Sequence, residues 1–487
     1  MKIDDLLTLI KRRGFYFQAF NIYGEVGGFY DYGPIGVRIK NNLIALWRRT
    51  FVEQLGAYEV DTTTIMPEPV FKASGHLTSF TDPLVTCASC KTPHRADKLL
   101  EEFYSKKGDA QSIGKIEKMN NGELERELKA NKIKCPTCGK SEFGKVETFN
   151  LLFKTAMGPT GAVPGYLRPE TPQGIFVDFK HLFTVNSMKL PVAIAQTGKV
   201  YRNEISPRQQ TIRMREFSQM DVEVFFDPED EKSGLEGPGM KEVEEGEIPV
   251  LLKGSKEEEM VAIGDLLKKR VIPNRHFALL LYLENGFALA LGFKKGNYRF
   301  RQVEVTPHYS RCNFDLEVKT SYDYIELSGL AYRTDYDLSS HAKQSGKDLS
   351  VTSDEKKVLP HVVELSIGVD RPLFAILDAV FEEGKDRGWS WLRLNESLAP
   401  YRYGVFPLQK DDKLVDKAKA LYRKLVSMHV PVYYSEAGSI GKRYAKADEI
   451  GVPYCITIDY DTLTDDTVTI RNRDDAKQVR KSVSEVS

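Results

Sequence analysis

The sequence lacks a net charge, a long apolar run and any abundance of cysteine. Its 69 Lys and Arg residues balance 69 Asp and Glu residues, so only a local basic patch within a neutral whole is expected to bind nucleic acid. The longest apolar run, Phe277 to Leu283, is far too short to cross a membrane. The N-terminal residues lack the apolar region and cleavage site of a signal peptide. We therefore expect a soluble, cytoplasmic protein with no membrane partner.

The remaining composition is that of a globular protein. Of the 487 residues, 41% are hydrophobic and 28% are charged, which excludes wholesale disorder. At roughly 100–200 residues per domain, this length predicts about three domains.

Four of the six cysteines form two Cys-x-x-Cys pairs. The pairs are Cys87 with Cys90 and Cys135 with Cys138. In a cytosolic chain this spacing indicates a metal rather than disulfides, and four thiolates satisfy a tetrahedral structural zinc ion. Four unrelated buried thiols are the alternative. The charged segment between the pairs, about 91–134, is interpreted as a small inserted module.

Hydrophobic spacing indicates the organisation of the first half of the chain. Residues 36–56 follow a helical pattern, and the β-branched run 58–65 predicts a strand. Two further strands, 200–204 and 212–226, are predicted on either side of a polar loop at 206–210.

Two later segments are interpreted from composition and turn signals. From residue 227 to about 260, acidic residues outnumber basic ones and several glycines intervene, which is typical of a solvated, mobile surface insertion. The segment 277–293 holds two apolar runs joined through Asn285-Gly286. Because this dipeptide favours a tight turn between strands, we predict a β-hairpin there.

The last ninety residues alternate between strand and helix patterns. The predicted strands are 403–407, 430–434, 454–459 and 467–471, and the predicted helices are 411–429 and 439–450. This alternation predicts a small α/β domain with mostly parallel strands, which begins near residues 396–400.

Two segments that contain arginine carry the candidate chemistry. Arg202 and Arg213 lie on the two strands predicted around the polar loop, where guanidinium groups can hold a polyphosphate, and Phe217 beside them can stack on a base. A later strand that ends at Gly368 leads into a helix beginning near Arg371, and a helix start favours an anion. Taken alone, each segment is more typical of an ordinary protein surface.

The order of these motifs resembles that of class II aminoacyl-tRNA synthetases, and the residues between them narrow the resemblance to glycyl-tRNA synthetases of the homodimeric type. The segments that carry it are Gly14-Phe15, Asp31–Pro34, Ala73–His76, Leu167–Gly174, Tyr201–Arg208 and Gly438–Tyr444. The resemblance covers nearly the whole chain and is weakest in the acidic segment.

The resemblance implies an α+β catalytic domain, an antiparallel sheet flanked by helices with insertions, followed by a C-terminal α/β anticodon-binding domain. The expected boundaries are catalytic parts at 1–86, 149–226 and 311–396, a zinc module at 87–148, an insertion domain at 227–310 and the anticodon-binding domain at 397–487. It also implies a C₂ homodimer formed through the helix and strand of the first motif.

The resemblance further implies an activity. Members of this family are ligases that activate glycine with ATP and then transfer the glycyl group to the 3′ end of tRNA(Gly). The glycine carboxylate attacks the α-phosphate and pyrophosphate leaves. No nucleophilic side chain is needed, so we expect catalysis by positioning and charge neutralisation.

The resemblance assigns ATP-binding residues. Arg202, Arg371 and Glu326 are the expected catalytic residues: Arg202 for the α-phosphate and the glycine carboxylate, Arg371 for the γ-phosphate, and Glu326 for a Mg²⁺ ion. Phe217 is expected under the adenine with Arg371 over its other face, and Glu204 as an adenine-binding or anchoring carboxylate. The full set is Arg202, Asn203, Glu204, Ile212, Arg213, Met214, Arg215, Glu216, Phe217, Glu326, Leu327, Gly368, Val369, Asp370 and Arg371.

Glycine offers no side chain to recognise, and the resemblance implies that carboxylates hold its ammonium group. The expected carboxylates are Glu170, Asp221 and Glu364, while side chains around the α-carbon exclude larger amino acids by steric clash. Arg95 and Arg333 match family arginines near the substrate, although ordinary ion pairs explain them equally well. The full set is Arg95, Glu170, Phe217, Ser218, Gln219, Met220, Asp221, Arg333, Glu364, Leu365, Ser366, Ile367 and Gly368.

The sequence departs from the family pattern at three positions. Asp221 stands where the family usually has Glu, Leu365 replaces a frequent Pro, and Pro172 replaces a frequent Ala. These changes bear on the geometry of the pocket and leave the expected substrate class unchanged.

The C-terminal domain is expected to read a single-stranded RNA loop by stacking and hydrogen bonding. Candidate contacts are Lys442, Arg443, Tyr444, Arg471 and Arg473, with a solvated surface as the alternative for each. Two other functions are considered for the whole chain. One is a synthetase-like accessory protein without catalysis, which would be expected to lose the arginines present here. The other is prolyl, seryl or threonyl specificity, against which the glycine-type carboxylates argue.

Overall fold

The N-terminal part of the chain supplies one edge of a large central sheet. A computed structural model describes residues 2–116, 118–207, 210–230, 233–385 and 387–486. The first elements are α1 (Lys2–Arg13), β1 (Tyr16–Gln18), β2 (Tyr30–Tyr32), α2 (Pro34–Trp47), β3 (Tyr58–Val60), β4 (Ile65–Pro67), α3 (Glu68–Ala73) and α4 (His76–Ser79). The helix predicted over 36–56 is confirmed as α2 and a π-helical continuation, Arg48–Glu53. The single strand predicted over 58–65 is wrong, since β3 and β4 belong to different sheets.

The segment interpreted as an inserted module folds around a hydrophobic cluster of its own. Its elements are β5 (Thr81–Cys87), β6 (Pro93–Arg95), α5 (Ala96–Lys106), α6 (Ala110–Ile116), α7 (Asn121–Ala130) and β7 (Phe143–Asn150). Val85, Leu100, Leu124 and Val146 lie in the cluster, between the helices and a three-stranded sheet of order β6-β5-β7. The apolar residues spaced along the helices therefore explain why a charged segment folds.

The next elements correct the strands predicted around the polar loop. They are β8 (Phe153–Met157), β9 (Val163–Leu167), α8 (Pro172–Val185), β10 (Val192–Tyr201) and β11 (Glu216–Phe226). Strand β10 ends before Arg202 and β11 begins after Arg215, so the arginines lie in the connecting loop rather than on facing strands. Arg208 and Gln209 of the predicted loop lie outside the described residues.

The acidic segment and the predicted hairpin both differ from expectation. Their elements are α9 (Met240–Glu245), β12 (Glu247–Leu251), β13 (Glu259–Ala262), α10 (Ile263–Lys268), α11 (Arg275–Ala290) and β14 (Tyr298–Gln302). Strands β12 and β13 extend the central sheet, and Val243, Ile248 and Val250 are buried in the main core. The hairpin prediction is wrong: the leucine-rich run forms the buried helix α11, because burial on nearly all sides rewards a helix that is apolar all round.

The last elements before the C-terminal domain complete the central sheet. They are β15 (Cys312–Thr320), β16 (Asp323–Thr334), α12 (Tyr336–Ser345), β17 (Val351–Ser353), β18 (Lys356–Val358), β19 (His361–Gly368), α13 (Asp370–Val380), β20 (Phe381–Glu382) and β21 (Trp391–Leu392). The nine strands lie in the order β13-β12-β14-β15-β16-β19-β11-β10-β3. The run from β14 to β10 is antiparallel throughout, which confirms the predicted fold class.

The C-terminal domain has the predicted elements. They are β22 (Tyr403–Pro407), α14 (Asp412–Ser427), β23 (Val432–Tyr434), α15 (Ile440–Glu449), β24 (Tyr454–Ile458), α16 (Thr462–Asp465), β25 (Thr467–Asn472) and β26 (Gln478–Ser482). In the order β23-β22-β24-β25-β26, the first two pairs are parallel and the last two antiparallel, so the sheet is less parallel than predicted. No helix in the described ranges is long and apolar enough to cross a membrane.

Candidate active site

A cavity of about 310 Å³ lies over one face of the central sheet. Alternate residues of β11 and β19 form its floor, because successive side chains of a strand point to opposite faces. These floor residues are Gln219, Glu364, Ser366 and Gly368. The amide of Gln219 lies 3.4 Å from the Ser366 hydroxyl, so the floor is closely packed and polar.

The alternating residues of the same strands face away from the cavity. Met220, Leu365 and Ile367 are buried in the main hydrophobic core, and the hydroxyl of Ser218 accepts a hydrogen bond from Lys40 of α2. The prediction that these residues bind glycine is therefore wrong for the four side chains of Ser218, Met220, Leu365 and Ile367.

Glu170 lines the cavity just before α8. Its Oε1 accepts a hydrogen bond of 2.8 Å from Gln173, and its Oε2 lies 3.6 Å from His76 Nε2. Burial alone would raise the pKa of Glu170, but His76, Arg333 and the Gln173 amide together hold that pKa below its ordinary value. Glu170 is thus a carboxylate that faces the cavity.

Arg333 lies behind Glu364 rather than in the cavity. It is 3% exposed, and it donates to Glu364 Oε2 at 2.6 Å and to both oxygens of Asp337 at 2.6 and 2.9 Å. The Arg333 side chain therefore orients Glu364. Its buried position does not support the expected direct contact with substrate.

Glu364 belongs to a group of three buried carboxyl groups on β11 and β19, of which it alone lines the cavity; Asp221, expected to hold glycine, lies beneath the lining. Burial raises the pKa of Glu364 to about 8, against the opposing effect of Arg333. Burial also raises the pKa of Asp221 to about 6, although hydrogen bonds from Ser366 and Thr171 oppose the shift. Glu223, which the sequence analysis missed, pairs directly with Glu364 across the sheet and is fully buried. Burial and then the Glu364 charge raise its pKa well above the ordinary value.

Arg202 belongs to the cationic part of the cavity lining. Its Nε donates to the carbonyl of Pro169 at 3.2 Å. Its guanidinium carbon lies 5.5 Å from the ring centroid of Phe80 and 5.4 Å from that of Phe217. The two aromatic rings hold the guanidinium group in place through cation–π contacts.

Arg371 and Arg213 complete the cationic end. Arg371 donates to the carbonyls of Ile212 at 2.9 Å and Glu326 at 3.1 Å, and its Nη1 lies 3.6 Å from the Glu326 carboxylate. Arg213 Nε lies 3.3 Å from Glu204 Oε2. All five residues line the cavity, so the structure brings together the arginines that the sequence analysis selected from distant segments.

Two residues of the expected ATP-binding set, Val369 and Asp370, are engaged by contacts within the protein. Both carboxylate oxygens of Asp370 are engaged, one by the Ser218 N–H at 2.7 Å and one by the Tyr32 hydroxyl at 2.5 Å. Val369 is buried in the main core. These contacts fix the start of α13 against β11, and with it the position of Arg371.

Three more residues of that set lie outside the cavity lining. Arg215 donates to the carbonyls of Gly27 at 2.7 Å and Glu204 at 2.8 Å. The Asn203 N–H donates to the carbonyl of Leu151, two residues before β8. Glu216 pairs with a lysine of β10 at the surface. Arg215 and Asn203 therefore anchor the loop that carries the cavity arginines.

A second cavity, of about 410 Å³, adjoins the first. The two cavities share Ile212, Arg213, Glu326 and Arg371. The inserted module forms the outer wall through β6 and α5, including Arg95, which lies 3.0 Å from Asp82 and 2.5 Å from Asp97. Arg95 thus lies beside the arginine end, away from the carboxylate floor where a contact with glycine was expected.

The sequence analysis missed further residues that line the first cavity. They are Tyr309, Asn313 and Asp315. Burial and the nearby Glu326 raise the pKa of Asp315 to about 7, and Arg301 donates to it at 2.7 Å. A signal was present, since polar residues alternate with apolar ones along 312–318.

The four paired cysteines come together in the module. The Sγ atoms of Cys87 and Cys138, and those of Cys90 and Cys135, are each 3.7 Å apart, and all four sulfurs lie within 4.8 Å of one another. A tetrahedral zinc ion with Zn–S bonds of about 2.3 Å requires S–S separations of about 3.8 Å. The donor set and its spacing therefore fit zinc.

The candidate RNA-binding arginines of the C-terminal domain are buried. Arg443, Arg471 and Arg473 are 3%, 5% and 3% exposed. Arg471 forms two hydrogen bonds with the buried Asp448, at 2.8 and 3.0 Å, and the other two donate to backbone carbonyls. The expectation that they contact RNA is wrong, because their guanidinium groups are used inside the protein. Lys442 is exposed.

Comparison with known proteins places this geometry in a family. Residues 403–487 match the family model of the anticodon binding domain, and residues 164–245 match the tRNA synthetase class II core domain (G, H, P, S and T). Prolyl-tRNA synthetase from Giardia lamblia, in complex with prolyl-adenylate, covers 100% of this chain and 76% of its own with a TM-score of 0.61 and 14% identity. The Cryptosporidium parvum prolyl enzyme has a TM-score of 0.59 at 11% identity, and it covers 99% of this chain and 73% of its own. These two structures are similar in fold.

Curated relatives match over the full length. Glycine–tRNA ligase of Methanococcus maripaludis is 34% identical over 579 aligned positions, which span 100% of this chain and 98% of the relative. The enzymes of Aeropyrum pernix and Methanocaldococcus jannaschii are 36% and 35% identical, over 99% of this chain and 95% and 97% of their own lengths. Because the alignments are longer than this chain, the relatives contain segments that it lacks. On this similarity, the chain belongs to the glycine–tRNA ligase family.

Proposed function

We propose that this chain activates glycine with ATP to glycyl-adenylate and transfers the glycyl group to the 3′ end of tRNA(Gly). One observation carries the proposal: a single cavity is lined both by the carboxylates Glu170 and Glu364 and by three arginines with an aromatic ring, which are Arg202, Arg213, Arg371 and Phe217. The part lined by the two carboxylates, here named the carboxylate end, suits an ammonium group, and the part lined by the arginines and Phe217, here named the arginine end, suits a nucleoside triphosphate. Both sets of residues line the same space, as a reaction between the two ligands requires.

Glycine binds at the carboxylate end. Glu170 and Glu364 hold the ammonium group, and Arg202 holds the carboxylate. The closely packed Gln219 and Ser366 leave little room beside the α-carbon, so an added methyl group meets the floor of the cavity. This steric exclusion is the means by which a substrate without a side chain is selected.

ATP binds at the arginine end. Phe217 stacks on the adenine, while Arg202 and Arg371 neutralise the α- and γ-phosphates. A carboxylate oxygen of glycine attacks the α-phosphorus, the bond to the bridging oxygen of the β-phosphate breaks, and pyrophosphate leaves with the electron pair. The arginines stabilise the charge that develops on the phosphoryl oxygens, and no side-chain nucleophile takes part.

Mg²⁺ is the expected metal partner of ATP. Glu326 and Asp315 both line the cavity with Arg371, and burial, followed by the charge of Glu326, raises the pKa of Asp315. Such oxygens fit a hard divalent cation. Glu326 and Asp315 would hold it, and when bound it would neutralise charge on the triphosphate.

Zinc is proposed for the four-cysteine cluster as a structural ion. The sulfur separations support it, and a closed set of four thiolates leaves no position for a substrate. The proposed domain boundaries are those expected from the sequence, with two changes. The sheet of the zinc module begins at Thr81 and ends at Asn150, and strands β12, β13 and β14 of the expected insertion domain belong to the central sheet.

Membership of this family supports two further proposals, on the assembly and on the location of the protein. We place it in the cytoplasm and propose a homodimer formed by α2 and β3, where Val37 is 41% and Tyr58 is 40% exposed. The domain from 397 to 487 binds the anticodon of tRNA(Gly), through exposed groups such as Lys442 rather than through its buried arginines.

Amino-acid-dependent ATP–pyrophosphate exchange tests the proposal, with glycine, alanine, serine and proline compared in parallel. We expect exchange with glycine alone, lost in Arg202→Ala and Glu170→Ala. Exchange with another of these amino acids would overturn the specificity. Absence of exchange with all four, from folded protein with Mg²⁺, would favour a non-catalytic tRNA-binding accessory role, to be examined next by tRNA binding.

A further inference from the structure

The sheet of the inserted module connects the cysteine cluster to the loop that carries the cavity arginines. Its central strand β5 ends at Cys87, one of the four cysteines, and begins next to Phe80, whose ring lies against Arg202. The flanking strands β6 and β7 pair with β5 along its length. One rigid element therefore spans from the cluster to the ATP end of the cavity.

Two hydrogen bonds join this sheet to the arginine loop, residues 202–215. The Ser206 hydroxyl donates to the carbonyl of Pro93, the first residue of β6, at 2.9 Å. The Asn203 N–H donates to the carbonyl of Leu151, just after β7, at 2.7 Å. The loop is thus bonded to β6 and to the residue that follows β7.

At the other end, His94 of β6 reaches the cluster. Its ring is 2% exposed, and its Nε2 lies 3.3 Å from Cys135 Sγ. Cys135 belongs to the second cysteine pair, which lies 41 residues away in the sequence. His94 also lines the second cavity, beside Arg213 and Arg371. One short strand therefore contacts the cluster, the arginine loop and the triphosphate end of the active site.

We propose that His94 is a positioning residue that couples zinc occupancy of the cysteine cluster to the affinity of the active site for ATP. An N–H donated from Nε2 to the Cys135 thiolate stabilises the metal-bound cluster, and the same contact fixes β6, on which Ser206 rests. Such coupling is reciprocal, so a change at the cluster alters ATP binding. The inference rests on the proposed zinc site and the proposed ATP site.

A purely structural role for His94 is the competing explanation. The edge of its ring contacts Phe143 with centroids 6.2 Å apart, so an aromatic residue of similar shape would preserve that packing. His94→Phe keeps the ring and removes the donor, whereas His94→Gln keeps an N–H donor and removes the ring. A loss in His94→Phe that His94→Gln restores indicates hydrogen bonding, and the reverse result indicates packing.

The test uses the full-length, zinc-loaded protein and two readouts. The rate of zinc release to a chromophoric chelator reports the cluster, and calorimetric affinity for ATP with Mg²⁺ reports the active site without requiring turnover. For His94→Phe we expect zinc release about 10- to 100-fold faster, the usual effect of removing a hydrogen-bond partner of a metal ligand. We also expect ATP affinity to fall about three- to ten-fold, with the KM for glycine unchanged, and His94→Gln to restore much of both losses.

Two further variants complete the design. Ser206→Ala should weaken ATP binding without changing zinc release, since it breaks the connection downstream of the cluster. Combined with His94→Phe, it should add little to the loss of ATP affinity, because both changes act through β6. His181→Phe, an exposed histidine of α8, should change neither readout.

Three results would overturn the inference, and a fourth bears only on the proposed function. Faster zinc release with unchanged ATP affinity would confine His94 to the cluster, and two unchanged readouts in His94→Phe would make it a packing residue. Protein that binds no zinc would remove the basis of the coupling. Absence of glycine-dependent exchange would instead refute the proposed function, while the two binding readouts could still agree with the coupling.

Discussion

Replacement of Glu284 by Gln should raise the free energy of unfolding, relative to that of the parent protein, by more at neutral pH than at acidic pH. Glu284 lies on α11 beneath the central sheet and is fully buried. The Ser328 hydroxyl donates to its Oε1, and no group within the described ranges bonds its Oε2. Burial raises the pKa of Glu284 from 4.5 to about 8, against the effect of the Ser328 bond.

The sign and size of the effect follow from these two pKa values. Between pH 5 and 7 the folded protein keeps the proton on Glu284, whereas the unfolded chain has mostly lost it. Stability therefore falls as pH rises, by about 1.4 kcal/mol per pH unit, or about 2–3 kcal/mol across the interval. Gln cannot ionise, so the variant lacks this fall. A constant cost of the amide, such as an unpaired N–H, cancels when the two pH values are compared.

The assay is denaturant unfolding of both proteins at pH 5, 6 and 7 and at one protein concentration. The free energy of unfolding of Glu284→Gln minus that of the parent protein should rise by about 2–3 kcal/mol from pH 5 to 7. Glu257→Gln, a change at an exposed position, should show no such rise. A difference that stays flat with pH for Glu284→Gln would mean that this carboxylate is ionised in the folded protein, which would refute the reasoning.

Three further predictions concern the site and the C-terminal domain. Arg333→Gln leaves buried carboxylates without their partner and should lower the free energy of unfolding by about 3–5 kcal/mol. As a control, Lys199→Gln breaks the exposed pair of Lys199 and Glu216 and should lower it by less than about 1 kcal/mol. The KM for glycine should fall about ten-fold from pH 6.5 to 8, because binding of the ammonium group needs ionised Glu364, whose pKa is about 8. Glu364→Gln should raise this KM and abolish its pH dependence. Asp448→Asn weakens the pairing with Arg471 and should reduce tRNA charging more than pyrophosphate exchange; equal losses would contradict a role confined to the C-terminal domain.

Local patterns predicted those elements whose own residues specify their structure. The helix α14 was predicted because Leu414, Ala418, Leu421 and Leu425 recur at helical spacing, and all four are buried on one face. The cysteine pairs predicted a four-sulfur cluster because two residues between cysteines place both thiols near one ion. Such signals lie within a few residues and need no knowledge of the partner segment.

The hairpin prediction failed because the surroundings decided the structure. Asn285-Gly286 favours a turn when its neighbours are half-buried strands. Here the leucines around it are covered on nearly every side by the main core, and the buried helix satisfies all its internal backbone hydrogen bonds. The prediction of a mobile surface insertion for the acidic segment fails for a related reason. Its apolar residues Val243, Ile248 and Val250 are few, but they pack into a core that other elements supply.

Motif order alone identifies the chemical groups of the site, because Arg202, Glu326, Glu364 and Arg371 stand in motifs whose order is specific. Which of the neighbouring groups reach the cavity depends on how the chain folds. Strand alternation turns Met220 and Ile367 away, and burial removes Arg333 to a position behind Glu364. The physical reason is that a side chain's contacts depend on which face of its strand it occupies and on what packs against that face, and both are set by residues far away in the sequence.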